Sequence, residues 1–343
     1  MDPKKIVMLP VLKLILSLLP VFAFLGGLLL FDSFKLVKWP RLLGSILAGC
    51  AVALLALLLN TLLLNALPLD GRLFSRYLAP LIEESLKASY ILLLIRRHRL
   101  GFMVDGAVHG FAVGAGFALV ENLYYLHALE SSNLLLWAVR GFGTAVMHGG
   151  TTAIFAILSK NLEERNRRLN LLTLLPGIGA AIVIHSFFNH FLLSPLIMTA
   201  AQLLILPGLI AVAFRYSEKA LQEWMNFNLD TDVELFEAIR EGKMSESYSG
   251  LYLQSLQQNF PDAVFEDMLQ LLRLHLELAC QAKGILLRRQ AGFAVVRDPQ
   301  ANEKFARLEA LRRRIGKTGR LALSPILRNS SRDIWQLHLL RNG

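Results

Sequence analysis

The sequence predicts an all-α fold: a polytopic transmembrane helical bundle of about seven spans over residues 1–215, with a soluble helical domain over residues 216–343. Three observations carry this. The chain is 54% hydrophobic with a mean hydropathy of +0.47, and the apolar excess is confined to the first 215 residues. There it falls into repeated runs of roughly 20 residues or more, the length a helix needs to cross a hydrocarbon core about 30 Å thick. Charge divides at the same place: residues 1–215 hold 18 Lys/Arg against 10 Asp/Glu, and residues 216–343 hold 18 against 16. The basic excess therefore lies in membrane loops, where it sets topology. The nearly balanced remainder argues against nucleic acid as a partner. Cys50 and Cys280 are the two cysteines, so a cysteine-based zinc site is excluded and no structural disulfide is expected.

The spans are expected at about 7–31, 41–67, 74–95, 101–126, 133–159, 171–193 and 195–215. The first apolar run is too long for the core of a cleavable signal peptide and no small-residue cleavage motif follows it, so it reads as a span. Basic residues gather in alternate connections: Lys35, Lys38 and Arg41; Arg96, Arg97 and Arg99; Lys160, Arg165, Arg167 and Arg168; then Arg215 and Lys219. The opposite side offers Lys4, Lys5, Arg72 and little else. Basic loops stay in the cytoplasm, which puts the N-terminus outside and the tail inside a multi-pass protein of the inner (cytoplasmic) membrane. In the tail, Val233–Arg240 is amphipathic and Tyr248–Gln258 repeats leucines at helical spacing. A long helix is expected from Val264 to Gln290 and an arginine-rich one over Lys304–Arg320, ended near Gly316 and Gly319. This domain is read as a folding element or as a module for a cytoplasmic partner, with Arg312–Arg314 and Lys317 available to acidic headgroups.

Charged groups inside spans cost several kcal/mol, so each asks for a reason. The third span carries Glu83, Glu84 and Lys87; Lys87 is four residues after one acid and three after the other, so it can reach either from one helical face. The leftover carboxylate suits general-base activation of water, while a self-neutralising ion pair is the plainer alternative. The fourth span holds Asp105, His109, Glu121 and Asn122 among Gly106, Gly110, Gly114 and Gly116. Glycines four apart permit close helix approach, and Glu121 lies near their face, so it should point into the bundle. Asp105 and His109 lie near the cytoplasmic end, where solvated loop roles are expected. The fifth span has Arg140, Thr144 and His148 four apart, and the sixth has His185 and Asn189 four apart, with His190 adjacent. A lone histidine in a span is more often a packing residue than a ligand. Two such stripes beside a diacid point to a site in which imidazole binds zinc or donates to an oxyanion. There is no His-Glu-x-x-His motif, no Gly-x-Gly-Asp signature, no serine nucleophile elbow and no P-loop.

At these residues the chain resembles the PrsW family of intramembrane proteases, related to the wider CAAX-protease/Abi superfamily. Glu83-Glu84-Ser-Leu-Lys87 is similar to the family's Glu-Glu-x-x-Lys motif, and Asp105-Gly through Glu121-Asn122 to its long Asp-Gly … Glu-Asn signature. His148 and His185-x-x-x-Asn189 complete the likeness, which covers roughly residues 70–195. A tyrosine often stands in the family where this chain has His109, so that histidine receives no catalytic role. The resemblance implies an intramembrane endopeptidase that cuts a membrane-anchored protein. It leaves open a zinc ion held by His148, His185 and Glu84, or a glutamate-activated water without metal. Glu83 or Glu84 would take the water's proton, His148, His185 and Asn189 would hold the metal or the oxyanion, and Lys87, Glu121, Asn122 and Arg140 would support them. Two other classes fit the polar stripes. A non-catalytic membrane scaffold would bind helical clients through them; a proton-relay transporter would use Lys87, Glu84, Glu121 and His148, but neither repeated halves nor interrupted helices are visible.

Overall fold

The computed structural model describes residues 3–30, 38–129, 133–166, 169–190, 192–241, 248–294, 298–327, 335–337 and 340. Lys35, Arg167 and Arg168, used above in the loop-charge argument, lie outside them. Helices account for all the regular structure among the described residues. The chain divides into two compact units, Met1–Glu218 and Lys219–Gly343.

The first unit contains α1 (Pro3–Leu30), α2 (Trp39–Ala66), the short α3 (Gly71–Leu73), a π-helical turn at Phe74–Leu78 and α4 (Ala79–Arg96). It continues with α5 (Met103–Ala128), α6 (Leu134–Asn166), α7 (Leu171–Asn189) and the beginning of α8 (Pro195–Glu241). Among the described residues, six helices are long and apolar enough to cross a membrane, one fewer than the seven spans expected. The difference is α4, whose 18 residues include Glu83, Glu84 and Lys87. Its charges make it a poor lipid-facing helix, and it packs instead against α2, α5, α6 and α7.

The centre of the bundle is the α5–α6 pair. In their apolar windows 89% and 78% of residues are buried, against 22–28% in the other four spanning helices. Composition explains the pairing. A Cβ on Gly114 would overlap the carbonyl of His148 on α6, and one on Gly116 would overlap the carbonyl of Ile46 on α2. Only hydrogen at these two positions lets three backbones close on one another. Leu43, Leu47, Leu54, Leu58 and Leu62 of α2 stay exposed on the opposite face, as suits a helix that meets hydrocarbon there.

The second unit has its own core, built around Met268, Leu271, Leu272, Leu278, Ala282 and Leu286 of α10 (Asp262–Gln290). Against it pack Leu253 and Leu256 of α9 (Tyr248–Gln257), Leu308 and Leu311 of α11 (Ala301–Arg314), and Leu323 of α12 (Gly316–Leu323). Two expectations change. The last span and the amphipathic Val233–Arg240 belong to one helix, α8, because no glycine or proline intervenes between them. The arginine-rich helix ends before Gly316, near where it was expected to, at a φ of +68° that favours glycine, but a further helix, α12, runs on through Gly319.

Candidate active site

Four helices of the first unit bring the polar stripes together. On α4, successive residues diverge by about 100°, so Glu83 and Glu84 face different surroundings. Glu84 is 2% exposed, and its Oε1 accepts from Lys87 Nζ (2.6 Å), His185 Nδ1 (2.7 Å) and Thr151 Oγ1 (3.3 Å). Lys87, fully buried, also donates to His148 Nδ1 at 3.0 Å and lies 5.0 Å from the centre of the Phe117 ring. Since an ammonium has no lone pair to offer, Nδ1 of His148 accepts and its Nε2 carries the proton. That proton is given to Glu121 Oε2 at 2.6 Å, and Glu121 Oε1 accepts from Arg140 at 3.2 Å. Arg140 in turn stacks 3.6 Å over Tyr125.

Glu83 is the less encumbered acid. Its Oε1 accepts from Asn60 Nδ2 of α2 at 2.9 Å, and its Oε2 stands 3.8 Å from His185 Nε2. Because His185 spends its ring proton on Glu84, Nε2 presents a lone pair toward a carboxylate oxygen. Two acceptors face each other across a gap suited to a proton, a water or a cation. Charge points the same way. Glu83, Glu84 and Glu121 stand against Lys87 and Arg140, so neutral imidazoles leave one net negative charge, which a low-dielectric interior must offset.

Glu83, His148 and His185 offer ligand atoms all within 4.8 Å of one another, a set of two imidazoles and a carboxylate that matches zinc's preferences. The carboxylate of Glu84 on Nδ1 of His185 is the outer contact that usually orients a ligating histidine. The residues therefore fit a zinc ion once Nε2 of His148 leaves Glu121 and the ring proton sits on Nδ1, with one proton lost from Lys87. Glu83 stands in this set where the sequence reading put Glu84, whose Oε1 is already taken by three donors.

A cavity of about 420 Å³ opens on the cluster. Glu83, Glu121, Arg140 and His185 line it, with Ala53, Ala56 and Ala79 among the apolar wall residues. Thr144 lines it as well.

The other expected residues fall elsewhere. Asn189 lines the cavity but donates its amide to Ser75 O at 2.8 Å, while Ser186 donates to Arg76 O at 2.6 Å. Both α7 side chains thus serve carbonyls of the π-helical turn. Asn122, completely buried, donates to Ser17 O of α1 at 2.9 Å, away from the cluster. Asp105 and His109 are not solvated: they are 3% and 6% exposed. Asp105 accepts from Gly101 N at 2.8 Å at the start of α5, and His109 pairs with Ser45 of α2 at 2.7 Å. Sequence reasoning missed Asn60 and Thr151. The signal for Asn60 was an amide inside the apolar run Leu57-Leu-Leu-Asn60-Thr-Leu-Leu-Leu64; Thr151 lay on α6 three residues past His148.

The family described as PrsW family intramembrane metalloprotease matches residues 37–217. A protein named Protease PrsW from Clostridioides difficile (strain 630) is 27% identical over 154 residues, which is 43% of this chain and 62% of that protein. No solved structure matches the chain.

Proposed function

Because the chain belongs to the PrsW family of intramembrane metalloproteases, we propose that it hydrolyses a peptide bond of a membrane-anchored protein at the Glu83–His148–His185 cluster. The observation that carries this reading is the gap between Glu83 Oε2 and the lone pair of His185 Nε2, at the wall of a cavity within the bundle. A water in that gap gives its proton to Glu83, attacks the scissile carbonyl, and the proton passes on to the leaving amine. Glu84 keeps His185 in the tautomer that leaves Nε2 free. Lys87 and Glu121 fix both nitrogens of His148, and Arg140 places a positive charge in the same cavity for the developing oxyanion. In the alternative with metal, Glu83, His185 and, once released from Glu121, His148 would hold a zinc ion, which would lower the pKa of its water toward about 7 and polarise the carbonyl, with Glu83 then a ligand in place of the base. The loop-charge asymmetry supports an inner-membrane protein with its N-terminus outside and the domain after α8 in the cytoplasm.

The test compares membrane-protein fragments by mass spectrometry in cells carrying the parent or Glu83→Gln. Equal amounts of inserted protein, and a C-terminal tag reachable only from the cytoplasmic side, are the controls. Fragments ending within or beside a transmembrane segment are expected with the parent alone, and they name the substrate. If the two fragment sets coincide under conditions where the protein has a phenotype, catalysis is wrong and client binding without cleavage replaces it.

A further inference from the structure

We infer that Asn60 of α2 is a positioning residue for the metal set, holding the Glu83 carboxylate in its ligating orientation. The inference rests on the zinc reading above. One face of α2 is exposed as suits lipid, and an amide within such a helix is unfavourable unless it is satisfied from the protein side. Asn60 Nδ2 meets Glu83 Oε1 at 2.9 Å, whereas Asn60 Oδ1 is buried and has no hydrogen-bond partner among the described residues. The carboxylate is thus the one polar group that the amide engages there. This also fixes which way the amide points, since the reverse orientation would set Oδ1 against a carboxylate oxygen.

The consequence for Glu83 is geometric. Its Oε1 is tied to α2, and that tie leaves Oε2 as the oxygen turned to His185 Nε2. Without Asn60 the carboxylate is free to rotate away toward the cavity it lines, because among the described residues no other hydrogen bond holds it. Outer contacts of this kind commonly alter metal affinity by 10–100-fold.

Asn60→Leu separates positioning from folding, because leucine suits this helix at least as well as asparagine does. Zinc affinity of the purified full-length protein in lipid nanodiscs is measured by competition with a chelator, for the parent, Glu83→Gln and Asn60→Leu. Thermal unfolding of each metal-free protein is recorded alongside. The expected result is zinc binding weakened 10–100-fold in Asn60→Leu, with metal-free unfolding unchanged or shifted upward. Parental affinity in Asn60→Leu, with loss in Glu83→Gln, overturns the inference and spares the metal reading. A parent that binds no zinc, or a Glu83→Gln variant that binds it as the parent does, overturns both.

Discussion

Adjacent glutamates on α4 leave the helix in different directions, and their environments assign them different work. Glu84 is held by Lys87, His185 and Thr151, which suits a structural anion that orients His185. Removing one partner of a buried ion pair leaves the other charge uncompensated, at a cost of about 3–5 kcal/mol. Lys87→Met is therefore expected to lower the unfolding midpoint of the detergent-solubilised protein by several degrees. The double variant Lys87→Met/Glu84→Gln should recover part of that loss, because no bare charge remains at the pair. An additive double variant would show that the two residues do not act as a pair. Glu83→Gln, by contrast, should leave the midpoint near the parent's while abolishing the activity, since Glu83 lines a cavity rather than a sealed interior.

At the scale of the element, the site depends on how closely α5 lies on α6. Gly114 has no room for a Cβ beside the carbonyl of His148, the same residue whose ring links Lys87 to Glu121. Gly114→Ala must push the two helices apart at the one register where the cluster is assembled, and overpacking of this sort typically costs about 1–3 kcal/mol. The variant should insert normally yet lose both zinc retention and fragment production. Gly179→Ala, on α7 where a Cβ meets nothing within 4 Å, should behave as the parent. Equal effects of the two substitutions on zinc retention would show that helix propensity, not interhelical distance, is what matters. The π-helical turn before α4 is a second element-scale device. A π-helical turn disrupts the regular pattern of carbonyl satisfaction, and α7 supplies Ser186 and Asn189 to Arg76 O and Ser75 O. This ties the start of α4 to the helix that carries His185.

At the scale of the whole molecule, a buried histidine of the second unit couples stability to acid. In the second unit His275 is 7% exposed, and burial, reinforced by Arg312 and Lys283, holds its pKa down to about 4 from 6.5. The unfolded chain therefore binds more protons than the folded one between these values, so stability rises with pH across that window. The contribution is complete above about pH 6.5 and is lost as pH falls toward 4, an effect on the order of 3 kcal/mol. Hydrogen exchange of the α10 amides in the full-length protein should show protection falling through this range, and His275→Gln should flatten the dependence. A parent whose α10 protection is constant from pH 7 to 4 would contradict it.

The sequence by itself determined the membrane bundle, the helical character of both units, and the grouping of polar residues within each span. Those properties depend on composition and on a 3.6-residue period, which are local. It also placed His148, His185 and the Glu83–Glu84 pair in one site, because each lies on a stripe too polar for lipid. Local periodicity could not say which glutamate meets which histidine, since the 3.8 Å gap at His185 Nε2 depends on the register between α4 and α7. Nor could it separate Asn122, directed at α1, from Glu121 beside it, directed at α6. His109 looked solvated for the same reason, since its partner Ser45 lies on α2. Only the tertiary structure decided these points, because contact between helices is set where small residues let backbones meet, and that distance is a property of pairs.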